Sequence, residues 1–321
     1  MAQLYSPSQM LKEFPRTCLR GVGQVMFQDN MWTGLLFMAG IFWGAYAEGF
    51  PTVAWGAVVG LVVSTLAGYL LQLPDKKGAQ GLWGFNGVLV GCAFPTFLGN
   101  TIWMWIALVI CSAMTTWVQS GLDNVFGRWK LSAFTFPFVL STWFFLLAGR
   151  IFHGMPAEYM GSPELPHDVH TALNAGFGVI VVYWLKGISQ VFLINNWVTG
   201  IFFLAALAVS SIRAAVWAAI ASAIALATAI LWQAPGADIA EGLYGFSAVL
   251  TGIALGATFC NFSWKSAIWA VIGIFITVII QAAMNAFFSP MGLPTLTGPF
   301  CIGTWIFLLP AYQMFAPKAD N

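Results

Sequence analysis

Runs of mostly apolar residues, each close to twenty long and separated by short polar stretches, recur along almost the whole chain. A helix rising 1.5 Å per residue needs about 20 such residues to cross a hydrocarbon layer of roughly 30 Å. The runs predict helices near 31–48, 52–72, 83–98, 101–119 and 133–151, and a second set near 197–212, 214–233, 243–258, 266–287 and 298–316. Between the sets lies a polar stretch, HGMPAEYMGSPELPHDVH, with three prolines and three acids. It divides the chain into a first half over 1–152, a linker over 153–170 and a second half over 171–321.

Composition sharpens this picture. Of 321 residues 60% are hydrophobic and 7% charged, and the mean hydropathy is +0.82. Water-soluble domains carry roughly 25% charge, so the fold class expected is an all-α polytopic membrane protein embedded in a lipid bilayer. A net charge of +1 offers no basic surface for nucleic acid. The N-terminal segment, charged at Lys12, Glu13, Arg16 and Arg20, does not read as a signal peptide, and the first apolar span is expected to direct insertion.

Ten spans with a cytoplasmic N-terminus place Lys12, Arg16, Arg20, Lys76, Lys77, Arg128, Lys130, Arg213, Lys265 and Lys318 inside, and Arg150 and Lys186 outside. Positive charge accumulates on the cytoplasmic side of membrane proteins, so both termini are expected there, in a cytoplasmic (inner) membrane. The linker, with Glu158, Glu164 and Asp168, and the acidic turn at Asp238 and Glu241 then lie outside.

The remaining chemistry is sparse. Cys18, Cys92, Cys111, Cys260 and Cys301 are scattered without a CxxC pair and read as packing residues; His153, His167 and His170 are confined to the linker. No cofactor or metal site is expected, and no cluster of His, Cys or carboxylate at membrane depth could serve an enzyme. No Asp or Glu falls in the middle of a span, so no proton relay or ion-coupling carboxylate is visible. Passive conduction of an uncharged solute fits better than pumping.

The two halves repeat one another. GVGQVMFQDNMWTG from Gly21 matches GISQVFLINNWVTG from Gly187, 166 residues on; GLWGFNGVLVG from Gly81 matches GLYGFSAVLTG from Gly242, 161 on; and FTFPFVLSTWFF from Phe134 matches LTGPFCIGTWIF from Leu296, 162 on. Five spans in each half force the second copy to enter the membrane with reversed polarity. Inverted repeats place their shared site near the midplane, where matching segments meet. The blocks led by Gln24 and Gln190 predict tilted or re-entrant helices, because irregular backbone at membrane depth must be buried in protein or line a cavity. Pro137 and Pro299 are expected inside the fifth and tenth spans, each freeing a carbonyl, with Thr135 and Thr297 adding hydroxyls. Asp29 and its counterpart Asn195 suit helix N-caps. Gly84, Gly87, Gly91, Gly245 and Gly252 suit close helix packing.

The GxxQV, GLxGF and TxPF blocks, each present twice and in this order from about Gly21 to Trp305, resemble the urea transporter family, bacterial type. The resemblance implies two inverted repeats of five transmembrane helices, each with a tilted pore helix. It also implies one pore per protomer of a homotrimer and passive, selective conduction of urea. It assigns Gln24 and Gln190 to two outer urea sites and Thr135 and Thr297 to the middle. Phe27 and Phe85 would flank one site, and Leu193 and Phe246 its mirror, with Val25, Leu89, Val191 and Leu250 narrowing the slot. Some bacterial members carry Glu where this chain has Gln190. Urea is flat, neutral and dipolar, and a slot with apolar plates and acceptor oxygens on its edge suits it. Such a slot rejects ions, which lose far more hydration on entry than a neutral amide does. The residues alone leave open a channel of the same fold for another small neutral solute such as ammonia, water or a short amide.

Overall fold

A computed structural model describes residues 7–314 except 72, 74–77, 79, 167–170 and 174–175. Lys76, Lys77, His167, Asp168, His170 and Lys318, which entered the charge and metal arguments above, lie outside the described residues. The described part is helical with no strand element, and four helices are long and apolar enough to cross a membrane, or five if one bent pair counts as a span. The protein is an all-α polytopic membrane protein. Its contacts divide it into two compact units, 1–160 and 161–321, the boundary falling inside the polar linker.

The first unit runs α1 (Pro7–Gln24), α2 (Met31–Ala47), α3 (Pro51–Leu70), α4 (Phe85–Phe97), α5 (Ile102–Phe126) and α6 (Phe136–Gly149). The second runs α7 (Phe177–Ser189), α8 (Trp197–Ser210), α9 (Ile212–Leu231), the single turn α10 (Gly236–Ala240), α11 (Gly245–Ile253), α12 (Trp264–Phe288) and α13 (Gly298–Met314). Apart from α10, the order matches, and two pairs match in length: α3 and α9 have 20 residues each, α5 and α12 have 25 each. The last two overrun the predicted spans, α5 the more, because its helix continues past Gln119 through polar residues such as Asp123 and Asn124, beyond the apolar window. Length differs mainly at one corner, where three residues, Glu48–Phe50, link α2 to α3 while Ser211 alone separates α8 from α9.

Several elements are too short to span alone. Helix α4 has 13 residues, a rise of about 20 Å, and α6 and α8 have 14 each. Helix α6 is extended by a buried, non-helical turn: Leu131, Ala133, Phe134 and Thr135 ahead of it are all at most 7% exposed. Such backbone is tolerated at membrane depth only where protein surrounds it. Helices α7 and α8, joined through a tight turn at Gln190–Phe192, bend by 71°, as the re-entrant reading of the Gln190 block predicts.

Two details differ from expectation. Pro137 and Pro299 are not inside helices; each stands at the second residue of its helix, where the missing N–H would have had no intrahelical partner. They start α6 and α13 and free no carbonyl: Ala133 O accepts from Phe136 N at 3.1 Å and Thr295 O from Gly298 N at 3.1 Å. The caps of α2 and α8 are Asn30 and Asn196, one residue later than Asp29 and Asn195. Asn30 Oδ1 accepts from Trp32 N and Thr33 N, and Asn196 Oδ1 from Val198 N and Thr199 N. Asp29 instead pairs with Arg20 at 3.1 Å. Helices α3 and α4 cross where Gly56 and Gly60 meet Gly91 and Gly87, backbone against backbone, the approach that small residues allow in membranes.

Candidate functional site

The assigned residues cluster at the helix breaks of each unit. In the first, α1 ends at Gln24 and the chain reverses through a turn closed by Phe27 N to Gln24 O (3.0 Å) and Gln28 N to Gly23 O (3.0 Å). Phe27 sits at φ 62, a left-handed conformation that costs an L-residue roughly 1–2 kcal/mol and aims the ring away from the helical course. It meets Phe134 edge to face, ring centres 6.1 Å apart and planes at 88°. Phe134 is itself left-handed at φ 52 and immediately precedes Thr135, so the first and third blocks are brought together.

Gln24 reaches the second block. Its Nε2 donates to the carbonyl of Gln80 at 3.0 Å, just before Gly81, the turn residue that leads to α4 and Phe85. Gly81 has φ 88, and a Cβ there would collide with the backbone nitrogen of Gly21. The turn thus needs glycine both for its handedness and for the approach of α1. Because a carbonyl can only accept, this bond fixes which corner of the Gln24 amide is oxygen. Phe85 and Thr135 are 6% and 2% exposed, and Val25 and Leu89 are fully buried.

The second unit builds the same arrangement. Gln190 Nε2 donates to the carbonyl of Glu241 at 2.9 Å, the residue before Gly242, which has φ 73 and is crowded by Gly187. Leu193 is left-handed at φ 57, the counterpart of Phe27, and Leu296 at φ 50, the counterpart of Phe134. Thr297 is buried beside Leu296 ahead of α13, and Val191 and Leu250 are fully buried. Phe246 is the second residue of α11, one position later in its helix than Phe85 in α4. No aliphatic side chain can repeat the Phe27–Phe134 ring contact, so the second unit lacks that aromatic pair at Leu193 and Leu296.

None of the residues assigned by resemblance is ionisable. The nearest carboxylates by sequence are Asp29 in the first unit, which follows Phe27 closely and pairs with Arg20 at 3.1 Å, and in the second unit Glu241, whose backbone carbonyl holds Gln190, with Asp238 just before it on α10. Burial, and secondarily the charge of Glu241, raise the Asp238 carboxyl above the ordinary carboxylate range. Among the described residues there is no group of three metal-ligating side chains.

Sequence reasoning missed three kinds of neighbour to these residues. The backbone carbonyls of Gln80 and Glu241 left no side-chain signature, although both precede a repeated glycine. Phe134 and Leu296 open the third repeated block and were visible there, but nothing in a sequence announces a left-handed phenylalanine. Asn86, buried on the first turn of α4, is not repeated, since Ser247 takes its place, and comparison of the halves passes over it.

Comparison with known proteins gives a single answer. The family profile described as urea transporter matches residues 16–312. Urea transporter 1 of Rattus norvegicus is 32% identical over 306 residues, covering 92% of this chain and 77% of the rat protein. Urea transporter 1 of Ovis aries and of Capra hircus are each 31% identical over 307 residues, with the same coverage.

Proposed function

The chain belongs to the urea transporter family, and from that premise we propose that it is a passive, selective channel carrying urea down its gradient. The lining proposed is Gln24, Val25, Phe27, Phe85, Leu89 and Thr135 in one unit and Gln190, Val191, Leu193, Phe246, Leu250 and Thr297 in the other. The observation that carries the reading is the pair of matched bonds, Gln24 to the Gln80 carbonyl and Gln190 to the Glu241 carbonyl. Each ties down the amide nitrogen and thereby orients a glutamine oxygen as an acceptor. Urea offers four N–H donors and one carbonyl, and an oriented acceptor beside an aromatic or aliphatic plate recovers part of its lost hydration.

The twofold sequence repeat with five spans in each copy supports an inverted arrangement of the two units. The distribution of Lys and Arg supports cytoplasmic termini in the inner membrane. A homotrimer with one pore per protomer follows from the family resemblance. The uncharged lining accounts for selectivity: an ion entering it would meet no counter-charge to offset its dehydration.

Stopped-flow light scattering on proteoliposomes tests the proposal. Under a urea gradient, vesicles containing the protein should equilibrate much faster than empty ones, with saturation, while glycerol remains excluded. Urea entry no faster than in empty vesicles refutes urea as the solute, and faster entry of ammonia or water in the same vesicles would point to another neutral solute.

A further inference from the structure

We propose that Asn86 is a positioning residue for the first lining set, holding Phe85 and Thr135 in fixed relation through a side-chain bridge that the second unit does not reproduce. The inference rests on the lining proposed above.

Asn86 follows Phe85 on the first turn of α4 and is fully buried. Its Nδ2 donates to Gln119 Oε1 at 3.0 Å, and its Oδ1 accepts from the backbone N of Phe138 at 3.2 Å. Gln119 lies on α5 and is 6% exposed. Phe138 lies in the first turn of α6, three residues after Thr135, where backbone N–H groups have no partner within the helix. One amide therefore ties the start of α4, the C-terminal third of α5 and the start of α6. It does so at the two places where a plate residue and a hydroxyl residue of the lining stand. Both ends of the asparagine amide are used, which no shorter side chain can match.

The second unit supplies the natural comparison. Ser247 occupies the Asn86 position and Gln281 the Gln119 position. Gln281 turns its Nε2 to the carbonyl of Leu243 instead. The Ser247 hydroxyl and Gln281 Oε1 are buried without a hydrogen-bond partner. The starts of α11 and α13 thus lack the side-chain bridge that joins α4 to α6. Phe85 and Thr135 are tied at the helix starts by one side-chain amide, whereas α11, α12 and α13 are joined farther along, at the Thr251 hydroxyl, which lies 3.0 Å from Thr277 Oγ1 and accepts from Thr304 Oγ1 at 3.4 Å.

The test is Asn86→Ser, which installs the second unit's residue in the first, read as the permeability of proteoliposomes to urea and to the bulkier N-methylurea. Loss of one neutral buried bond to each partner should lower urea permeability about fivefold and raise the ratio of N-methylurea to urea. A purely structural role would scale both solutes together, so an unchanged ratio in protein that melts and elutes normally overturns the proposal. If Asn86→Ser does not fold, Gln119→Leu breaks the same bridge from α5 and should shift the ratio in the same direction; no shift overturns the proposal equally. Gln24→Leu, assayed alongside, separates the two levels. If Gln24→Leu leaves urea flux unchanged the lining itself is wrong, whereas a strong Gln24→Leu effect with a silent Asn86→Ser sinks only the positioning role.

Discussion

Replacing Gln24 by leucine tests the lining most directly, since leucine is similar in bulk and removes both polar corners of the amide. Two terms follow from the geometry. The bond from Gln24 Nε2 to the Gln80 carbonyl, 3.0 Å long, is lost, a neutral pair worth about 1 kcal/mol of stability. The acceptor oxygen offered to a passing urea is lost as well. A urea N–H without an acceptor in a dehydrated slot costs about 1–3 kcal/mol, and each 1.4 kcal/mol is roughly tenfold in rate. Urea permeability should therefore drop between about 5-fold and 150-fold, while the protein loses only a few degrees of melting temperature. Stopped-flow shrinkage and reswelling of proteoliposomes reads the first quantity and thermal melting in detergent the second. Gln190→Leu should behave alike, because its bond to the Glu241 carbonyl is the same construction. Normal urea flux in both folded variants would refute the assigned lining.

Thr135→Val and Thr297→Val keep shape and remove one hydroxyl each; both should slow urea severalfold in the vesicle assay, and equal permeability to the unaltered protein would remove the hydroxyls from the path. Gly81→Ala puts a Cβ on a residue at φ 88 and against the nitrogen of Gly21, which should cost about 2–5 kcal/mol, seen as a large fall in detergent melting temperature; a fall of less than a degree would contradict the close approach. Asp29→Asn breaks the half-exposed pair with Arg20 and should cost less than about 1 kcal/mol, as the Asn195 counterpart suggests; a larger loss by thermal melting would show the pair to be a structural clasp. The Asp238 carboxyl is raised by burial and by Glu241, so its folded pKa exceeds its unfolded one. The stability it contributes is present at acid pH and is lost as pH rises through the raised folded value. Asp238→Asn should accordingly match the unaltered protein near pH 4 and melt at a higher temperature near pH 8, and a gap that does not widen with pH would contradict that assignment.

Most of the helical layout was legible in the sequence because a membrane imposes length and apolarity on every span, and ten apolar runs near that length are hard to misread. The repeat then singled out the residues proposed for the lining, since Gln24, Phe85 and Thr135 share their surroundings with Gln190, Phe246 and Thr297. What the sequence did not disclose is backbone direction. The prolines at 137 and 299 looked like internal breaks because the apolar run continues on both sides of each. Only the turns at 131–135 and 293–297 show that the helices begin there. The partners of the two glutamines are main-chain carbonyls, and carbonyls are the same at every residue. Asn86 was passed over for the opposite reason: a comparison of halves finds what they share, and this residue matters where they differ.

The two units also show where the chain can change length. Their first repeated blocks stand 166 residues apart, and the later two 161 and 162 apart; the drop from 166 to 161 falls entirely in α2 and its link to α3. That link, Glu48–Phe50, is exposed, and Gly49 has open space around the place a Cβ would occupy. A short epitope or fluorophore-acceptor peptide inserted after Gly49 would add to a corner whose length already varies between the two units. The same peptide placed between Val25 and Asn30 would displace Phe27. The Glu48–Phe50 corner is thus a handle by which the intact protein can be labelled, immobilised or joined to a partner without entering the residues proposed to face the solute.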